Sequence, residues 1–148
     1  MLKKFHMEYC RPESIPMITG CKLSKEDEYK EVDQRFYRSM IGSLLYVTTS
    51  RPYVMKVVGQ VARFQATPKE THIIAVKRIF RYLKGTMDFG LWYPKGNEIT
   101  LIAYSDADRA GCVDDRRSSS GTTLFLGNCI VSWSSKKQAS VSLLTVEA

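Results

Sequence analysis

The spacing of apolar residues changes twice along this 148-residue chain. Up to residue 33 there is no period. A short apolar-basic stub, "LKKFHM", leads into "CRPESIPMITGCKLSKEDEYKEVD", which is punctuated by Pro12, Pro16 and Gly20 and closes on solvated charges from Lys25 to Asp33. Residues 1–33 are therefore expected to be an extended connector laid over a surface. From 34 to 85 apolar residues recur every three or four positions, as on one face of a helix. Phe36, Met40, Leu44 and Val47 follow Asp33, a candidate N-cap. Gly42 within this run leaves room for another helix to approach. Val54, Val57, Val58, Val61 and Phe64 follow Ser50, with Pro52 in the first turn. Ile73, Val76, Ile79, Phe80 and Leu83 follow Thr67-Pro68-Lys69-Glu70, which reads as a capping box with proline at the first helical position. Gly85 ends this third helix.

Beyond Gly85 the pattern turns strand-like. "FGLWYP" (89–94) and "ITLIAYS" (99–105) read as two strands joined at Lys95-Gly96-Asn97. A polar turn, "DADRAGCVDDRRSSSG", separates them from "TTLFLG" and "CIVSWS", a hairpin about Gly127-Asn128. Trp133 is expected in the core beneath that sheet. "SSKKQASVSLLTVEA" is polar and then apolar, as at the start of a helix. The fold class is thus α+β or α/β, a helical segment followed by an incomplete sheet.

Composition changes this picture only in part. With 44% hydrophobic and 25% charged residues the chain is globular rather than disordered. No apolar run is as long as a membrane span, and no signal-peptide core follows Met1, so no membrane partner is expected. Cys10, Cys21, Cys112 and Cys129 lack Cys-x-x-Cys spacing, which points away from zinc and disulfides and toward a reducing intracellular compartment, cytoplasmic or nuclear.

Charge adds more. Residues 1–33 carry −1, residues 34–100 carry +8 and residues 101–148 carry 0. The basic excess therefore sits in the helical segment, where it favours a polyanion such as nucleic acid. Lys77, Arg81 and Lys84 fall on one face of the third helix with Arg78 beside them. Such a stripe either tracks a phosphate backbone or is a solvated outer face. His72, in the first turn of that helix, reads as a surface or packing residue rather than a catalytic one.

The remaining candidate chemistry is in "AYSDADRAG" (103–111), where an apolar run ends in Asp106 and Asp108. Two carboxylates there are either a metal site or a solvated turn. The stretch from Ala107 to Gly111 reads as a turn, which would keep Asp108 from sharing a strand face with Asp106. Asp114 and Asp115, next to Arg116 and Arg117, read as a salt-bridged loop.

Taken in order, "YRSMIGSLLYVTTSRP", "AVKRIFRYLKGT", "GLWY", "YSDADRAG", "DDRRSSSG" and "VSWSSKKQ" resemble the copia-type retrotransposon Pol polyprotein, in the segment that joins reverse transcriptase to ribonuclease H. The resemblance runs from "LKKFHM" to "TVEA". It implies that residues 34–85 are a helical thumb or connection segment. It also implies that residues 89–148 are the N-terminal part of a ribonuclease H-like domain with a mixed sheet. Asp106 matches the catalytic aspartate at the end of the first strand, a ligand of the Mg²⁺ pair that activates water and stabilises the leaving oxygen. Glu147 matches the first glutamate of a Glu-Ala-Glu-Tyr motif. The second glutamate and the later aspartates would lie beyond Ala148, and the polymerase's Tyr-x-Asp-Asp motif is not in this sequence. One carboxylate binds Mg²⁺ only weakly, so no stably bound ion is expected. Three positions depart from the family's usual residues: Tyr53 stands for aspartate, Arg109 for tryptophan and Leu144 for serine.

Two functional readings follow. In the first, the chain is a catalytically incomplete piece of the Pol polyprotein that retains nucleic-acid binding through Lys77, Arg78, Arg81 and Lys84. In the second, it is part of an active RNA-directed DNA polymerase whose ribonuclease H cleaves RNA in RNA–DNA hybrids. The expected partners are an RNA–DNA hybrid or other nucleic acid, and the rest of the polyprotein. The charge of the middle segment weighs against a third class, a scaffold with no ligand.

Overall fold

The computed structural model describes residues 1–26, 28–96, 99–108 and 114–139. The chain forms two compact units, one spanning Met1–Phe89 and one beginning at Gly90.

The first unit is built on three helices, α1 (Gln34–Thr48), α2 (Met55–Ala62) and α3 (Glu70–Gly85). Asp33 caps α1 as its sequence predicts: Oδ1 accepts the N–H of Arg35 at 2.7 Å and of Phe36 at 3.3 Å. The core comprises Met40, Ile41 and Leu44 of α1, Val54, Val58, Val61 and Phe64 around α2, and Val76, Ile79, Phe80 and Leu83 of α3. Burying each such side chain contributes roughly 1.5–3 kcal/mol. The inward face of α1 is rotated from the predicted stripe. Tyr37 is fully buried, whereas Phe36 is 40% exposed and meets Phe5 edge-on at its margin. The phenol of Tyr37 donates to the Val61 carbonyl at 2.8 Å, which satisfies the polar end of an otherwise apolar ring. Among the described residues no helix packs at Gly42; a Cβ built there would meet nothing within 4 Å.

Helix α3 starts two residues later than the proline-box pattern predicts, with Lys69 at the N-cap position. The connector accounts for the shift. The Val32 N–H donates to Pro68 O, the Glu70 N–H donates to Lys30 O, both at 3.0 Å, and Glu31 bridges Lys69 antiparallel. These bonds hold 68–69 extended. His72 then caps the helix, its Nδ1 accepting the Lys69 N–H at 3.0 Å. Its ring stacks on Phe64 at 3.8 Å, a packing role in agreement with the sequence.

Residues 1–33 lie over the helices largely without regular structure, but the stub is more than a lead-in. Leu2–Phe5 forms a 3-10 turn, and Phe5 and Met7 are buried in the helical core. Tyr53, where the resemblance implies an aspartate, is built into this unit as well. It accepts a hydrogen bond from Arg51 and meets Tyr82 and Phe89 edge-on. Arg51 also donates to the carbonyls of Thr86 at 2.7 Å and Met87 at 3.0 Å, satisfying acceptors just past α3.

The second unit holds an antiparallel sheet in the order β1 (Leu101–Asp108), β2 (Ser119–Leu126), β3 (Cys129–Lys137). The predicted hairpin is present: Gly127 takes φ 58°, the left-handed conformation that a two-residue turn requires. The fold is therefore α+β, with every described strand pairing antiparallel. Two expectations are corrected. Residues 89–94 do not form a strand, and Pro94 has no N–H to offer a ladder. The segment is held instead by single contacts: Tyr93 OH donates to Ile130 O at 2.7 Å and Cys129 Sγ to Trp92 O at 3.5 Å. Trp133 is half-buried rather than in a core, since the buried described residues of this unit are Ser118, Ser119 and Cys129. The Asn97 turn position, Arg109, Leu144, Glu147 and the helix start expected near the end lie outside the described residues. No described helix is long and apolar enough to cross a membrane.

Candidate functional site

Strand β1 delivers the aspartates, and it runs further than its turn-forming residues predict. Ala107 pairs with Ser120 and Asp108 with Ser119, so Asp106 and Asp108 share one strand face. Their surroundings differ. Asp106 stands exposed opposite Gly121, which has no side chain, and its Oδ1 accepts its neighbour's Ala107 N–H at 2.8 Å. Asp108 is half-buried, and its Oδ1 accepts the Ser119 N–H at 2.5 Å. One of its carboxylate oxygens thus helps hold β1 to β2.

The loop before β2 pairs its charges, as expected. Asp115 Oδ2 lies 3.8 Å from Arg117 Nε, and its closer partner is Lys137 of β3, at 2.5 Å. Both side chains around Asp115 are partly exposed, which limits such pairs to about 0–1 kcal/mol. Among the described residues no group of three or more His, Cys, Asp or Glu is placed to hold a metal ion. Mg²⁺ demands near-octahedral oxygen coordination, usually anchored by more than one carboxylate. Without a group of three such ligands, the described residues do not fit a two-Mg²⁺ centre. Glu147 lies outside them.

The basic face of α3 is more occupied than its sequence implies. Lys77 is exposed. Arg78 Nη2 lies 2.9 Å from Glu13 Oε2, and Arg81 Nη1 lies 3.4 Å from Glu13 Oε1. Lys84 Nζ donates to the carbonyls of Glu8 at 2.6 Å and Cys10 at 2.8 Å. Residues 8–13 thus run along the second half of α3, close enough that a Cβ on Gly85 would come within 3.1 Å of Pro12 Cβ. Glu13 is the residue that sequence reasoning missed. It lies 68 positions from Arg81, and its one local mark is an acid set between prolines. Carbonyl partners leave the charge of Lys84 uncompensated, and Arg78 and Arg81 share a single carboxylate. The face therefore keeps a positive surplus.

The chain has relatives among known proteins. It is 41% identical over all 148 residues to the Retrovirus-related Pol polyprotein from transposon RE1 of Arabidopsis thaliana, covering 10% of that protein. Over 155 aligned positions it is 38% identical to the Retrovirus-related Pol polyprotein from transposon TNT 1-94 of Nicotiana tabacum, covering 12%. A shorter relative, Secreted RxLR effector protein 161 of Plasmopara viticola, is 41% identical over 112 residues, 75% of this chain and 79% of that one. No family model and no solved structure matches. The chain belongs to the copia-type retrotransposon Pol polyproteins. It spans about a tenth of the length of the Pol polyproteins it matches.

Proposed function

We propose that this chain is the junction between the reverse transcriptase and ribonuclease H of a copia-type Pol polyprotein, and that it binds nucleic acid through the basic face of α3. The observation that carries this reading is the surplus of Lys77, Arg78, Arg81 and Lys84 over the single carboxylate of Glu13, within a segment of charge +8. A polyanion gains there by releasing its condensed counterions, which needs no base contacts and gives no sequence preference. RNA–DNA hybrid is the partner that suits a Pol junction.

Asp106 is assigned as the first carboxylate of a ribonuclease H centre. Its exposed position on a paired strand fits a ligand that must be rigid and still face solvent. In a complete domain the Mg²⁺ pair supplies a metal-activated water. The described residues bring together no group of ligands for such a pair, so hybrid cleavage is not assigned to them alone. The alternative, an active polymerase and ribonuclease H, is favoured only by the accessibility of Asp106 and needs carboxylates from outside the described residues.

The test is a titration of the full chain with labelled RNA–DNA hybrid in Mg²⁺ buffer, scoring binding and RNA integrity together. The account expects salt-sensitive retention with intact RNA. Absence of binding at low salt contradicts the first assignment, and cleavage that Asp106→Asn abolishes contradicts the incomplete centre.

A further inference from the structure

We infer that Glu13 is an internal competitor for nucleic acid: it occupies Arg78 and Arg81 in the free protein and is displaced when a phosphate backbone takes that face. The inference rests on the nucleic-acid reading above and adds a regulatory contact to it.

Three observations support it. First, the two guanidinium groups converge on separate oxygens of one carboxylate, at 2.9 and 3.4 Å, much as they would converge on a phosphate. The fit is incomplete, because Arg78 Nε is buried with no acceptor. A phosphate offers more oxygens than a carboxylate and can use that donor. Second, the pairs are reachable. The side chains of Glu13, Arg78 and Arg81 are 26%, 21% and 33% exposed, so the cost of breaking each pair is small.

Third, the connector is fixed on both sides of Glu13 and only lightly at it. Upstream, Phe5 and Met7 are buried and Lys84 grips the Glu8 and Cys10 carbonyls. Downstream, His72 Nε2 meets Ser24 O at 2.9 Å. At Glu13 itself the backbone contributes one long hydrogen bond, N–H to Arg81 O at 3.4 Å, and no helix or strand has to unravel. Such a strap can lift in the middle while staying tethered at its ends.

The experiment compares hybrid affinity for the full chain and for Glu13→Gln, alone and combined with Arg78→Gln and Arg81→Gln. Releasing the two partly exposed pairs should tighten binding roughly three- to tenfold. The gain should vanish when both arginines are also replaced. Equal affinity for wild type and Glu13→Gln, at wild-type circular dichroism, overturns the competitor and leaves the nucleic-acid reading standing. A gain that survives loss of both arginines also overturns it, since net charge alone would then explain it. If none of the proteins binds, both readings fall. Because Glu13→Gln could disturb folding, a second measurement uses the wild-type chain. A glutamate-specific protease should cut after Glu13 several-fold faster with saturating hybrid present. An unchanged or slower rate overturns the inference.

Discussion

Asp108 and Ser119 are joined across β1 and β2 by a 2.5 Å hydrogen bond from a backbone N–H to a carboxylate oxygen. Asp106, two residues earlier on the same face, accepts only its neighbour's amide among the described residues. The two aspartates of one short motif therefore have separate roles, one structural and one facing solvent.

That division predicts opposite outcomes on substitution. Asp108→Ala removes the carboxylate that accepts the N–H of buried Ser119 and should cost about 1–3 kcal/mol. Asp106→Asn should stay within about 0.5 kcal/mol of wild type. Trp92 and Trp133 both lie in the second unit, so urea unfolding followed by tryptophan fluorescence reads this unit directly. Equal costs for the two variants would refute the assignment.

Tyr37 makes the first unit sensitive to alkali. Burial pushes its phenol above the ordinary value of 10.0, so it stays protonated when folded while the unfolded chain's tyrosine ionises. The folded state then binds more protons. Its contribution is fully present below pH 10 and is lost as pH rises beyond it. Tyr37→Phe should lose about 1 kcal/mol at neutral pH, because the Val61 carbonyl loses its donor. Its stability should then fall less steeply above pH 10 than wild type does. Parallel slopes in chemical denaturation at pH 8 and 11 would show that Tyr37 ionises as easily folded as unfolded.

His72 ties together helix α3, helix α2 and the connector. Replacing it with alanine removes a ring stacked on Phe64, the cap on Lys69 and the contact with Ser24. A cost of about 2–4 kcal/mol is expected, as for other large-to-small changes in a core. Thermal melting by circular dichroism at helical wavelengths measures it. A loss below about 1 kcal/mol would mean that the connector and Phe64 close over the gap.

Helical periodicity made the three helices legible, and Asp33, Gly127 and Asn128 marked their cap and turn because those choices are local. Tertiary pairing hid the rest. Tyr37 displaced Phe36 from the core because a carbonyl 24 residues away could receive its hydroxyl. The start of α3 moved because Lys30 and Val32 captured the backbone ahead of it. "FGLWYP" has the composition of a strand but bonds through Tyr93 and Trp92 rather than through a ladder. At the candidate sites, spacing placed Lys77, Arg78, Arg81 and Lys84 on one helix and Asp106 on a strand. It could not show that Glu13 lies over the arginines, or that Asp108 continues the strand and binds Ser119. Both depend on residues brought together from distant parts of the chain.

The central claim, that α3 binds nucleic acid through its basic face, is tested most directly by the salt dependence of hybrid binding. Lys77→Gln, Arg78→Gln and Arg81→Gln are combined, leaving Lys84 to hold the connector carbonyls. With one phosphate contact per side chain, the slope of log K against log salt should flatten by about three. The apolar face of α3 is untouched, so helical circular dichroism should match wild type. An unchanged slope in a folded triple variant would contradict the account, because that face of α3 would then carry no phosphate.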